Sequence, residues 1–207
     1  MTTAVSTRNA IADLWGLLAE LLSFPGATLE QEVRGGSVRS AVAHLTDHLG
    51  WDIAPLLEGL DAGAGEESLE SEFIRLFDAP DGASTPLYTG VYSRRRRDAM
   101  EELLRFYRHF GLTVSGEAHD LPDYVPTVLE FLRFLALAAA ADGSGNAAET
   151  AAADVIERHV GPWASQTVSR LKGRRPHPFY ATVVLLVESV CEIEQERRLS
   201  ESEPVGP

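Results

Sequence analysis

At 207 residues, with 44% hydrophobic and 24% charged side chains, the chain can bury one substantial core. Its net charge of −13 speaks against non-specific nucleic-acid binding and against anionic membrane surfaces. Its single cysteine, Cys191, rules out an internal disulfide and suits a reducing compartment.

The acidic excess favours solubility or a basic partner. The first residues carry no apolar run behind a basic start, and nothing approaches the ~20 apolar residues of a membrane span. The expected location is the cytoplasm.

In chain order, Ile11, Leu14, Trp15, Leu18, Leu21 and Leu22 mark a helix over residues 8–23, with Ser6 or Thr7 as its cap and Pro25-Gly26 as its stop. Thr28 can cap a second helix that carries Glu30 and Glu32 in its first turn and breaks at Gly35-Gly36. Val38, Val42, Leu45 and Leu49 resume the helical period, and residues 52–60 suit a short helix. Leu69, Phe73, Leu76 and Phe77 form one face of the next helix, with Glu66, Glu67, Glu70 and Glu72 on its acidic side.

A long loop rich in proline and glycine follows, over residues 78–92. Connections in compact helical domains are usually short, so a long one is more often functional. Arg94 to Phe110 is helical and can close on Gly111 in the left-handed conformation. Asp123 can cap a strong helix with Pro126 in its first turn and Val125, Val128, Leu129, Leu132 and Leu135 on its buried face. Phe131 and Phe134 widen that face, which makes this helix central.

A weaker, alanine-rich helix spans 147–159, and Gly161-Pro162 punctuates. Trp163, Thr167, Val168 and Leu171 suggest a further helix. Pro178 opens the last one, in which Val183–Val187 has strand character but helical flanks. The reading is an all-α, single-domain bundle of about eight or nine helices over residues 1–200, with 201–207 as a fraying tail.

Catalytic and metal patterns are weak. His44 and His48 share a helix face but lack the glutamate of a zincin motif. His119-Asp120 matches the core dipeptide of metal phosphohydrolases without an identifiable partner set. No Glu-x-x-His pair or phosphate-binding glycine loop is present. Arg94–Arg97 reads as a solvated helix start rather than a phosphate grip.

Tyr88 and Tyr92 have the apolar body and polar tip that suit peptide contacts, or they pin the loop to the helical body. Glu130 sits at the edge of the buried face or accepts hydrogen bonds from the loop. A helical adaptor that binds a basic segment stays open beside any more specific role.

Glu72-Phe-x-x-Leu-Phe77, Pro86-x-Tyr-x-x-x-Tyr92, Tyr107-x-x-x-Gly111-Leu112 and Leu121-Pro-Asp-Tyr-x-x-x-x-Leu-Glu-Phe131 together resemble the TorD/DmsD/NarJ family. These are cytoplasmic chaperones for molybdenum-containing oxidoreductases. Pro162-Trp163 and Pro178-Phe179-Tyr180 are similar to its NarJ-like, delta-subunit branch.

The resemblance implies an all-helical fold, no enzymatic activity and no permanently bound cofactor or metal. It implies binding of a catalytic subunit through its N-terminal leader, often of twin-arginine type. The subunit is held while molybdopterin cofactor is inserted, by a monomer or homodimer. It assigns the leader site to Tyr88, Tyr92, Pro122, Asp123, Tyr124, Glu130 and Phe131, and a structural motif to Glu72, Phe77, Pro86 and Gly111. Asp123 is expected to meet basic residues of the leader. Relatives commonly carry Pro-Asp-His where this chain has Pro122-Asp123-Tyr124, and a tyrosine cannot become cationic near neutral pH.

Overall fold

The computed structural model describes residues 2–64, 68–79, 85–113, 121–141 and 146–202. Among them the chain forms nine α-helices: α1 (Thr2–Leu21), α2 (Leu29–Arg34), α3 (Ser37–Leu49), α4 (Leu69–Phe77), α5 (Arg96–His109), α6 (Val125–Ala141), α7 (Asn146–Val155), α8 (Gly161–Leu171) and α9 (Pro178–Ser202). Short 3₁₀ segments lie at Ala54–Ala64 and Thr89–Tyr92. The described residues hold no strand, only one isolated antiparallel bridge between Tyr88 and Tyr124.

The apolar periods explain the packing. Ile11, Leu14, Trp15, Leu18, Leu21 and Leu22 are buried along α1, and Val125, Val128, Leu129, Leu132 and Leu135 along α6. These two helices lie against each other along most of their length, and their core is continuous with that of the other helices. α6 shares the centre with α9. Phe179, Tyr180, Val183, Val184, Leu186, Val187, Val190 and Cys191 are all buried, so the first half of α9 is covered almost all round. The strand-like run Val183–Val187 is thus a core helix.

Several local expectations are corrected. α1 begins at Thr2, so Ser6 and Thr7 lie inside it rather than capping it; Ser6 instead faces His48, with Oγ and Nε2 2.9 Å apart. Glu72 is no part of an acidic outer face, being buried. Its carboxylate pairs with Arg75 in a fork at 2.6 and 2.7 Å and accepts the His177 main-chain N–H at 2.7 Å. That carboxylate ties α4 to the entry of α9.

Gly161-Pro162 does not interrupt the chain. α7 passes through a π turn at Ile156–Val160 directly into α8. Proline inside a helix lacks an N–H and crowds the preceding turn, and a widened turn relieves both problems. Gly161 is needed there because a Cβ would stand 2.9 Å from the Ile156 carbonyl oxygen.

Gly111 has φ +73° and follows α5 as expected, with Leu112 N–H donating back to the Tyr107 carbonyl. His119, Asp120, Glu66, Glu67, residues 80–84 of the long loop and residues 203–207 of the tail lie outside the described residues.

Candidate functional site

The described part of the loop, residues 85–92, is bound at almost every step. Thr85 donates its N–H and its hydroxyl to the Leu76 carbonyl at the end of α4. Trp163 Nε1 donates to the Pro86 carbonyl, 3.2 Å away. Val125 N–H donates to the Leu87 carbonyl, and Thr89 N–H to the Asp123 carbonyl, at 2.8 and 2.9 Å. Gln166 Nε2 donates to the Tyr92 carbonyl, and the Arg170 guanidinium lies 4.4 Å from the Tyr92 ring centre. The loop is a strap between the start of α6 and the side of α8.

Asp123 sits at the centre of this crossing, with no exposed surface. Its Oδ2 accepts the Gly90 N–H at 3.1 Å, and Arg96 Nε is 3.9 Å from the same oxygen. Its Oδ1 has no hydrogen-bond partner among the described residues. Burial raises its pKa, against the lowering effects of the Gly90 N–H and of Arg96. Tyr107 donates its hydroxyl to the Pro122 carbonyl at 2.8 Å; burial and then the nearby Asp123 charge raise its pKa.

Gly90 is required by the close approach. A Cβ there would be 2.7 Å from Asp123 Oδ2 and 2.9 Å from Arg96 Cγ. The expectation that Asp123 caps α6 and meets a partner's basic side chain is therefore corrected: its carboxylate turns to the loop and never reaches solvent.

The predicted residues divide into two sets. Tyr92 and Phe131 are buried with Asp123 and brace the crossing from within. Phe131 packs edge-on against Tyr107 with ring centres 4.8 Å apart. Tyr88, Pro122 and Tyr124 are half-buried, and the Tyr88 and Tyr124 rings meet at 5.5 Å. Glu130 is exposed, with its carboxylate 3.4 Å from Arg133.

Tyr124 and Glu130 also line a groove of about 750 Å³ between α1 and α6. Asp13, Glu20 and Glu130 supply its acidic groups, with Arg133 as its one cation; Leu17, Ala19 and Pro126 are also in its lining. Gly16 lets Arg133 lie across α1, where a Cβ would stand 2.9 Å from Arg133 Cδ.

Sequence reasoning missed Asp13 and Glu20, because two exposed acids on a surface helix look like any solvated face. It also missed Gln166 and Arg170 as holders of the loop. Trp163 carried a usable signal, since a buried indole N–H needs an acceptor.

His44 and His48 are both exposed. No group of three or more His, Cys, Asp or Glu suited to a metal ion occurs among the described residues, and no described helix is long and apolar enough to cross a membrane.

Residues 36–169 match the family described as nitrate reductase delta subunit. The chain is 32% identical over 180 residues to the chlorate reductase assembly chaperone protein of Ideonella dechloratans, covering 83% of this chain and 82% of that one. It is 29% identical over 180 residues to the selenate reductase assembly chaperone protein of Thauera selenatis, with the same coverage. Among solved structures, a candidate redox enzyme maturation protein from Archaeoglobus fulgidus superposes with a TM-score of 0.52 at 17% identity. That likeness covers 87% of this chain and 93% of the other, and it is a likeness of fold.

Proposed function

The chain belongs to the nitrate reductase delta subunit family of NarJ/TorD-like redox-enzyme maturation chaperones, and from that premise we propose that it is a cytoplasmic assembly chaperone for a molybdenum-containing reductase. It binds the catalytic subunit by its N-terminal leader and holds that subunit until molybdopterin cofactor is inserted. The cofactor is the client's cargo. The chaperone acts by binding the unfinished subunit more tightly than the finished one, which shifts the population without any bond being made or broken.

The observation that carries the leader assignment is the acidic groove between α1 and α6, which opens beside the pinned crossing at Tyr124. A leader in helical form lays its apolar side on the half-exposed Leu17 and the Tyr124 ring, and its basic side chains meet Asp13, Glu20 and Glu130. Tyr88 and Tyr124 supply an aromatic edge at one end, where a tyrosine offers stacking and a hydroxyl but no titrating imidazole. Asp123, Tyr92, Pro122 and Phe131 support this edge from beneath. The acidic surface also speeds encounter with a basic leader.

Calorimetric titration with the leader peptide of the cognate catalytic subunit tests the assignment. Glu20→Lys and Glu130→Lys are each expected to weaken binding by about tenfold, more at low salt. Tyr88→Ala weakens it through the aromatic edge. Wild-type affinity in all three variants removes the leader from this groove.

A further inference from the structure

The groove between α1 and α6 already holds a cation of its own. On α1, Asp13, Gly16, Leu17 and Glu20 are spaced three and four residues apart, so they form one stripe along the helix. All four line the groove, as do Glu130 and Arg133 of α6. The Arg133 side chain leaves α6 and crosses to this stripe. The atoms nearest to where a Cβ on Gly16 would stand are its Cδ, Nε and Nη1, at 2.9, 3.1 and 3.3 Å. Its guanidinium therefore rests over α1 at residue 16, with residue 13 about 4.5 Å to one side along the axis and residue 20 about 6 Å to the other. From the α6 side, Glu130 Oε2 is 3.4 Å from Nη1.

An i,i+3 pair such as Glu130–Arg133 forms on one helix without help from a second. The reach to α1 is additional, and so is the glycine that admits it. Gly16 lies well inside a 20-residue helix, where glycine weakens the structure relative to alanine. Its φ is not positive, so no left-handed turn calls for glycine there. What calls for it is the room taken by Arg133. Asp13 and Glu20, the acids to either side, form no ion pair among the described residues. Arg133 is thus set among the groove's three carboxylates and bonded to only one of them.

We propose that Arg133 is a tethered competitor for the leader. In the leader-free chain it takes the place in the acidic groove that a basic side chain of the leader takes in the complex, and it swings aside for the leader to seat. This rests on the assignment of the leader to that groove.

The exchange is cheap in both directions. The Arg133 and Glu130 side chains are 44% and 52% exposed, and an ion pair so open to water holds its partners weakly. Being attached, Arg133 competes at a fixed local concentration, whatever the amount of leader. The apparent affinity for the leader is reduced by the fraction of molecules in which Arg133 lies across the groove. A like charge beside the seat also slows the approach of a basic segment. The result suits a chaperone that must hold a leader and then release it: as a leader cation leaves Glu130, Arg133 returns to its place.

The test measures leader binding by the full chain, by calorimetry and by stopped-flow association, at low and at high salt. Arg133→Gln keeps the length of the side chain and removes its charge. Gly16→Ala keeps the charge and puts a methyl where the side chain lies, which turns it out of the groove. A further protein carries both changes. The two substitutions are independent routes, so either carries the test if the other fails to fold. The probes are the leader peptide of the cognate catalytic subunit and the same peptide with every arginine and lysine replaced by glutamine.

Arg133→Gln is expected to bind the basic leader about three- to tenfold more tightly at low salt, chiefly through faster association, and the gain shrinks as salt rises. Gly16→Ala shifts affinity in the same direction. The double variant matches Arg133→Gln alone, since no cation is then left to displace. The neutral peptide gains nothing from Arg133→Gln. The proposal is overturned if Arg133→Gln binds the basic leader as the wild type does or more weakly, if the two single effects add in the double variant, or if the neutral peptide gains as much as the basic one. Glu20→Lys and Glu130→Lys, measured alongside, keep the two readings apart. If they weaken binding while Arg133→Gln leaves it unchanged, the leader lies in the groove and only the competitor role is removed. If neither they nor Arg133→Gln changes binding, the leader is not in the groove and both readings fall.

Discussion

Replacing Asp123 separates the cost of burying a charge from the bond that the charge makes. In Asp123→Ala the main-chain bonds Thr89 N–H to residue 123 and Val125 N–H to Leu87 remain available. The Gly90 N–H loses its acceptor in a buried position, which costs about 1–3 kcal/mol. Against this, removal of a desolvated carboxylate returns part of the loss wherever that carboxylate is ionised in the fold. For a chain of this size, each kcal/mol moves the midpoint by about 2–4 °C.

Burial raises the folded pKa of Asp123 above its ordinary value of 3.8. Between those two values the unfolded chain has released the proton and the folded chain has kept it. Wild-type stability from this group therefore falls as pH rises through that window, and stays lower above the folded pKa. Asp123→Ala has no such group. The gap between the two proteins is then widest at the acid end, about 2–3 kcal/mol, and narrows as pH rises.

Urea unfolding followed by circular dichroism at several pH values from about 4 to 8 measures this gap. Asp123→Asn, which keeps an acceptor for Gly90 without a titrating group, should follow the same pH trend from a smaller offset. A gap that is constant or grows with pH would refute the account of Asp123 as a desolvated carboxylate holding the loop.

Further outcomes follow from other contacts. Glu72→Ala strands the buried His177 N–H and removes the fork to Arg75 at the α4–α9 junction, and should cost about 2–3 kcal/mol in chemical unfolding. Arg75→Ala leaves the buried Glu72 carboxylate with the His177 N–H but without its cation, and should cost about as much. Gly59→Ala places a Cβ 1.8 Å from Thr182 Oγ1, so a loss of about 1–3 kcal/mol is expected, partly restored by adding Thr182→Ala. His159 is buried, with Nδ1 lacking a hydrogen-bond partner among the described residues and Nε2 3.4 Å from a Glu102 carboxylate oxygen; its pKa is lowered by burial, against the raising effect of Glu102. Its contribution to stability is complete above its ordinary value near 6.5 and lost as pH falls, so His159→Phe should show a shallower acid decline in midpoint.

Most of the helical frame was legible because it is written in apolar spacing. The positions spaced for one face of α1, α4 and α6 are the ones that are buried. Where the reading slipped, a different signal dominated. Ser6 and Thr7 looked like caps only because capping residues and ordinary polar residues on a helix surface are the same types; the helix simply continued to Thr2. Gly161-Pro162 looked like a break, yet a π turn absorbs a proline without releasing the helix. Glu72 looked solvated because an i,i+3 arginine is ordinary on a surface, and only the fold brings the His177 N–H to its other side.

The site was less legible, for a reason rooted in what its residues do. Asp123, Gly90 and Tyr107 form a recognisable pattern because each has a steric or hydrogen-bonding demand that few other residues meet. Those demands belong to the chain itself, so the motif reports how the crossing is held together rather than what it touches. Residues that face a partner meet no such demand within the chain. Asp13 and Glu20 are such exposed side chains on the wall of the groove. What sets them apart is their arrangement, gathered with Glu130 in one groove beside the strap. A device that must grip an unfinished polypeptide needs surfaces that are complementary to something absent and are not satisfied internally. On the proposed reading, acids gathered on rigid helices are how such a surface appears in the isolated chain, and their gathering, rather than any one residue, is what points to the groove.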